Sequence, residues 1–153
     1  MSEAISRIPG VVMRPLSRHE DQRGWLTELV REDELPAGVV PRMAYVSLTH
    51  PGVARGPHEH VQQTDVFCFL SGRFLLKLWD RRPGNVPLEE SFDVGEDNPV
   101  FVSVPPGVVH GYRNIGNGDA LVFNFPDKLY AGWGRREPVD EIRHEDIGSE
   151  YHL

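Results

Sequence analysis

Gly52-Val53-Ala54-Arg55-Gly56-Pro57-His58-Glu59-His60-Val61-Gln62-Gln63-Thr64-Asp65 runs into the apolar stretch Val66-Phe67-Cys68-Phe69-Leu70 and the turn pair Ser71-Gly72. Alternate residues of a strand face the same side, so His58 and His60 point together into one interior while Glu59 points away. A second stretch, Pro105-Pro106-Gly107-Val108-Val109-His110-Gly111-Tyr112-Arg113-Asn114, adds a further histidine within a strand-like run. His58, His60, Asp65 and His110 therefore form a candidate cluster directed into one small β-barrel, and a metal or proton-transfer site is the first functional expectation.

Outward from this stretch, glycine and proline recur at short intervals and separate apolar runs of strand length, with little of the longer periodicity that marks helices. Arg73-Phe74-Leu75-Leu76-Lys77-Leu78-Trp79-Asp80 alternates, with Phe74, Leu76 and Leu78 on one face. Ser71-Gly72 reads as a hairpin turn, because glycine accepts the positive φ such a turn requires. Further strands are expected over 11–14, 25–31, 43–49, 53–55, 66–70, 88–94, 100–104, 110–114 and 120–125. Helix is expected only around Glu32 to Leu35 and Val139 to Asp146. Many short antiparallel strands hide their edges best by closing as a double-sheet jelly roll. The expected fold is all-β with little helix, one domain over 1–153. Its barrel covers about 40–126, and the strands of 11–31 and the tail of 127–153 pack on the barrel or on a dimer partner.

Composition bounds the partners. A chain of 153 residues builds one complete core. Its formal net charge of −7 argues against a nucleic-acid or anionic-membrane surface, since both need concentrated positive charge. Cys68 is the single cysteine and lies in an apolar run, where it packs as a small hydrophobe and forms no intrachain disulfide. Neither a signal peptide nor a membrane-spanning apolar segment is evident, so a cytoplasmic location is expected.

Three imidazoles and a carboxylate suit a borderline divalent ion, Zn, Fe, Ni, Mn or Co, with positions left open for water or substrate. The same imidazoles serve equally as metal-free general bases near neutral pH. Ligand type does not choose between these uses.

The two stretches resemble the paired motifs of the cupin superfamily, with Asp65 where a glutamate is usual and Gly95 too far upstream to match the glycine before the second motif. Asp21-Gln22-Arg23-Gly24-Trp25-Leu26-Thr27-Glu28, Arg55-Gly56-Pro57-His58 and Pro106-Gly107-Val108-Val109-His110-Gly111-Tyr112 together resemble the thymidine-diphosphate-4-keto-sugar 3,5-epimerases, which are jelly-roll cupins and commonly dimers. The resemblance runs from about Asp21 to about Tyr130. It implies that His58 removes a proton beside a keto group and that Arg23 and Arg55 hold a diphosphate. Trp25 and Glu28 would help hold the nucleotide. Arginine suits phosphate because its planar donor fork engages oxygens in pairs.

The chain departs from that pattern in three places. Counted from His110, the family's proton-donating tyrosine falls on Phe123; the lysine that steadies the enolate falls near Asp65; and His60 replaces a glutamine. His60 beside His58 is similar to the Arg-Gly-x-His-x-His of nucleotide-sugar 3,4-ketoisomerases. Tyr112 and Tyr130 are the phenols nearest to hand, with Tyr130 the candidate acid. Gln63, His110 and Tyr112 join the arginines as candidate substrate contacts. The expectation is a sugar-nucleotide epimerase or isomerase working by proton abstraction next to a keto group, with or without a divalent metal, on a small-molecule substrate and as a homodimer. A metal-dependent cupin dioxygenase, a phosphosugar isomerase and a non-catalytic sugar-binding or metabolite-binding cupin remain alternatives.

Overall fold

Strand alternation organises the molecule, whose structure is a computed structural model describing residues 5–153. β1 (Val12–Pro15), β4 (Tyr45–Thr49), β6 (Asp65–Phe69), β9 (Val100–Val104) and β11 (Ala120–Asn124) form one antiparallel sheet in the order β1-β9-β6-β11-β4. β5 (Ala54–Glu59), β7 (Arg73–Asp80), β8 (Leu88–Gly95), β10 (Val108–Asn114) and β12 (Ile142–Arg143) form the facing sheet in the order β12-β5-β10-β7-β8. A small hairpin of β2 (His19–Asp21) and β3 (Gly24–Leu26) stands apart from both. This is the all-β, cupin-like jelly roll.

The core lies between the sheets. Phe67 and Phe69 of β6, Phe74, Leu76 and Leu78 of β7, Val102 and Val104 of β9, Tyr112 of β10 and Val122 of β11 fill it from alternate positions. The intervening residues of the first sheet, Val66, Cys68 and Phe101, point outward into a second apolar cluster with Leu16, covered by Leu29, Val30, Leu35 and Val39. Strands buried on both faces read as continuous apolar runs, as Val66–Leu70 does. Cys68 is buried among these side chains, which push its thiol pKa up to about 12, and it packs as an apolar residue.

Two expected elements differ. The stretch 25–31 is a strand only to Leu26, after which the chain runs irregularly over the outer cluster. The stretch 139–146 holds no α-helix: Ile142–Arg143 adds β12 to the free edge of β5, followed by a single 3-10 turn at His144–Asp146. Edge pairing satisfies the backbone groups that a free β5 edge would leave open. From there the tail crosses the outside of the second sheet, where Tyr151 covers Trp79 at 5.4 Å between ring centroids.

Candidate active site

β5 brings His58 and His60 to one end of the barrel, and β10 places His110 directly opposite His58 in the ladder. This close approach depends on Gly56. Its φ is +88°, and a Cβ there would meet His110 O at 2.7 Å and His58 Nδ1 at 3.2 Å, so a side chain would drive β5 away from β10. β6 supplies Asp65 at the inward position just before Phe67. The His58 and His110 rings stand edge-to-face with centroids 4.5 Å apart, and the four expected ligand atoms all lie within 4.8 Å of one another.

The side chains divide by partner. Asp65 Oδ2 faces His60 Nε2 at 2.9 Å and His110 Nε2 at 3.0 Å, while its Oδ1 accepts from Gln63 Nε2 at 2.9 Å and Asn124 Nδ2 at 3.1 Å. His110 Nδ1 lies 2.9 Å from Val108 O. The Nδ1 of His60 meets the backbone carbonyl of Asp140. His60 thus has an acceptor at each ring nitrogen. Burial disfavours its charge, but the Asp65 carboxylate and the Asp140 carbonyl outweigh burial and raise its pKa to about 9. Burial also works against an ionised Asp65, yet hydrogen bonds from His110 and His60 hold its carboxyl well below the usual range. His58 stands outside this network: its Nδ1 lies 3.7 Å from Glu141, and burial together with the neighbouring His110 lowers its pKa to about 3. The His58 ring is therefore a neutral imidazole.

The cluster opens into a cavity of about 480 Å³ lined by Met43, Tyr45, His58, His60, Gln63 and Tyr130, with Leu129, Val139, Asp140 and Glu141 around the rim. The tail closes one side of it. Asp140 Oδ1 accepts from the Val61 amide at 2.8 Å, and its Oδ2 accepts from the Gln62 and Gln63 amides at 2.9 Å each. The loop that orients Gln63 is thereby fixed by a residue about eighty positions further along the chain.

His58, His60, Asp65, His110, Gln63 and Tyr130 are brought together as the sequence places them. Other candidates lie elsewhere within this chain. Tyr112 is 4% exposed, ringed by Phe67, Phe69 and Phe74, with its hydroxyl 3.4 Å from Ser47 Oγ, and it belongs to the core. Arg23 and Trp25 stand on the exposed β2–β3 hairpin, where Arg23 pairs with Asp21 at 2.5 Å and Arg18 stacks on Trp25 at 4.4 Å. Glu28 pairs with Arg31 at 3.3 Å. The Arg55 guanidinium donates from Nε to Thr49 Oγ1 at 2.9 Å and from Nη2 to Leu48 O at 2.8 Å.

Phe123 is not at the site. On β11 the inward positions are Ala120, Val122 and Asn124, and Phe123 packs outward against the cluster of Leu16, Val66 and Cys68. A tyrosine in this orientation would point away from the imidazoles, and the inward residue of β11 nearest them is Asn124. Sequence reasoning also missed Tyr45, Asp140 and Glu141. Tyr45 lies in an inward register opposite Asn124, legible only once the β4–β11 pairing is known.

The profile of the polysaccharide biosynthesis C-terminal domain family matches residues 19–133. "Probable low-salt glycan biosynthesis epimerase Agl13" of Haloferax volcanii is 36% identical over 129 residues, 82% of this chain and 83% of that protein. Spore coat polysaccharide biosynthesis protein SpsL of Bacillus subtilis is 34% identical over 125 residues, 80% of this chain and 82% of that protein. The crystal structure of the dTDP-6-deoxy-D-glucose-3,5-epimerase of Legionella pneumophila, solved with dTDP-4-keto-L-rhamnose, superposes with a TM-score of 0.78 over 97% of this chain and 82% of that one; at 18% identity it shows the shared fold. Matched by the profile over most of its length, the chain belongs to the polysaccharide biosynthesis C-terminal domain family.

Proposed function

We propose that the protein is a sugar-nucleotide epimerase or isomerase that removes a proton from the carbon next to a keto group, with His58 as the base. One observation carries this reading: His58 stands at the cavity wall with Glu141 no nearer than 3.7 Å, while His60 and His110 are engaged with Asp65. A base must hold an open lone pair aimed at the substrate, and a ring at the cavity wall without a close partner offers one. Glu141, 3.7 Å from His58 Nδ1, is placed to orient the ring and to stabilise the imidazolium formed when it takes the proton. The positively charged His60 ring at the same wall favours the negative charge that develops on the enolate oxygen.

The donor set also fits a divalent ion of the Zn, Fe, Ni, Mn or Co group. Nε2 of His60 and of His110 converge on Asp65 Oδ2 while each Nδ1 meets a backbone carbonyl, which is how ligating histidines are oriented. His60, Asp65 and His110 would hold such an ion; bound there, it would supply Lewis-acid polarisation of the keto oxygen. Metal analysis of the purified protein, before and after chelation, checks the ion.

The same reading takes the protein as a cytoplasmic homodimer. Val46, Leu48 and Leu121, exposed on the outer face at the β4 edge, support self-association, and sedimentation checks it.

Incubation of 4-keto nucleotide sugars in heavy water tests the reaction. Deuterium is expected at the carbon beside the keto group with the wild-type protein, and the rate falls by about a thousandfold in His58→Ala. Exchange by His58→Ala at the wild-type rate would place the chemistry elsewhere.

A further inference from the structure

His60 is held differently from the other two histidines of the site. β5 ends at Glu59, so His60 leads into the turn before β6, whereas His58 and His110 face one another within paired strands. The register of β12 supplies the support. Ile142 pairs with Glu59 and Arg143 with His58, antiparallel, so the chain before Ile142 runs alongside the residues after Glu59. Continued past the ladder, that register sets Glu141 beside His60 and Asp140 beside Val61. Asp140 holds the turn with both its side chain and its backbone. Oδ1 accepts from the Val61 N–H at 2.8 Å, Oδ2 accepts from the Gln62 and Gln63 N–H groups at 2.9 Å each, and the backbone carbonyl accepts from His60 Nδ1–H. Three consecutive amides turned on one carboxylate form charge-assisted bonds, stronger than neutral ones. With Asp65 at His60 Nε2, 2.9 Å away, the ring is fixed at both nitrogens, from β6 on one side and from the tail on the other. The tail's further hold on the barrel lies away from the cavity lining, where His144 Nε2 meets Glu59 Oε1 at 3.0 Å and the His144 ring packs edge-on against Tyr151 at 4.7 Å.

We propose that Asp140 is a positioning residue of the reaction, which keeps the His60 ring at the cavity wall by pinning residues 60–63 through its carboxylate and its carbonyl. This rests on the epimerase reading above. In that reading the His60 ring favours the enolate, and such a contribution depends on where the ring stands when the charge develops. Without the Asp140 carboxylate, the Val61, Gln62 and Gln63 amides turn to water, and residue 140 loses the anchor that keeps its carbonyl on Nδ1. The ring then keeps Asp65 alone and is free to turn about that one contact. Misplacement of a group that stabilises the transition state lowers turnover more than it weakens substrate binding. Because Asp140 acts through His60, its effect disappears where His60 is absent.

A double-mutant cycle read by deuterium entry into 4-keto nucleotide sugars in heavy water tests the coupling. Asp140→Ala is expected to lower kcat by about tenfold with KM changed by less than about threefold. In a His60→Gln background the same substitution is expected to lower the residual rate by less than about twofold. A clamp that served the fold alone would take its full toll in either background. Asp140→Asn keeps one oxygen for the amides, so it gives a smaller loss with the same dependence on His60, and it decides the point if the alanine variant does not fold. Melting temperatures of all variants separate lost folding from lost turnover. A wild-type rate in Asp140→Ala, or a loss of equal size with and without His60, overturns the proposal and leaves the epimerase reading standing. Wild-type protein that exchanges no carbon-bound hydrogen of any 4-keto nucleotide sugar overturns both.

Discussion

One end of this barrel is filled with aromatic and aliphatic side chains and the other with imidazoles, a carboxylate and amides, and single strands pass from one to the other. β6 runs inward-facing from Asp65 to Phe67 to Phe69, and β10 from His110 to Tyr112. The Phe67 ring lies 5.5 Å from His110 and 5.9 Å from Phe69, so the two regions are in direct contact. The apolar end supplies the free energy of burial and the rigidity against which the polar end is set. The polar end satisfies its own groups through Asp65, Asn124, Gln63 and Asp140, and leaves His58 as the imidazole facing the cavity without a strong partner. Apolar burial is concentrated at one end and the titratable side chains at the other.

Substitutions can break that division. Phe69→Ala removes a fully buried ring that packs on Phe67, Phe74 and Tyr112 and is expected to cost about 4 kcal/mol in urea unfolding, with KM unchanged in the folded fraction. A cost below about 1 kcal/mol would show that the apolar end is not the structural half.

Asp65→Asn strikes the polar end and is expected to cost about 3 kcal/mol, because two buried histidines lose the carboxylate they share. Its pH signature is specific. The His60 pKa is raised from 6.5 to about 9, so its contribution is complete below pH 6.5 and is lost as pH rises towards 9. The wild-type melting temperature should therefore fall between pH 7 and 9.5, and Asp65→Asn should flatten that limb. An unchanged alkaline limb would mean that Asp65 does not hold the His60 proton.

The smallest effect is expected at Asp80, a buried carboxylate paired with Arg82 Nε at 2.9 Å and Asn85 Nδ2 at 3.0 Å and taking no part in the cavity. Arg82 lowers its pKa from 3.8 to about 2, so its contribution is present above pH 3.8 and lost as pH falls through about 2. Asp80→Asn is expected to cost about 1 to 2 kcal/mol at pH 6 and much less at pH 2, with activity intact. A variant that loses activity would show that this ion pair, which lies outside the cavity, bears on the polar end.

The polar end was largely legible in the sequence because its geometry is local. His58 and His60 share a strand face, and His110 follows a turn signal that starts the partner strand. What escaped depends on pairing between distant segments. Which of Phe123 and Asn124 faces inward depends on the parity of β11, which the turn after Asn114, with its Gly116 and Gly118, leaves unreadable from the sequence. Asp140 and Glu141 looked like part of a helix, since nothing in their neighbourhood announces that β5 has a free edge for Ile142 and Arg143 to join. Arg55 carried the phosphate signature of the resemblance, and within the chain two of its donors engage Thr49 and Leu48, a contact that depends on where β4 runs and is not visible in the sequence. The apolar end was readable from alternation alone, as Phe74, Leu76 and Leu78 show.

A crystal structure with a bound 4-keto nucleotide sugar tests the central claim most directly. The account predicts the sugar ring inside the cavity with the carbon beside the keto group about 3 to 3.5 Å from a His58 ring nitrogen. A sugar ring bound outside the cavity, or one inside it with that carbon out of reach of His58, would contradict it.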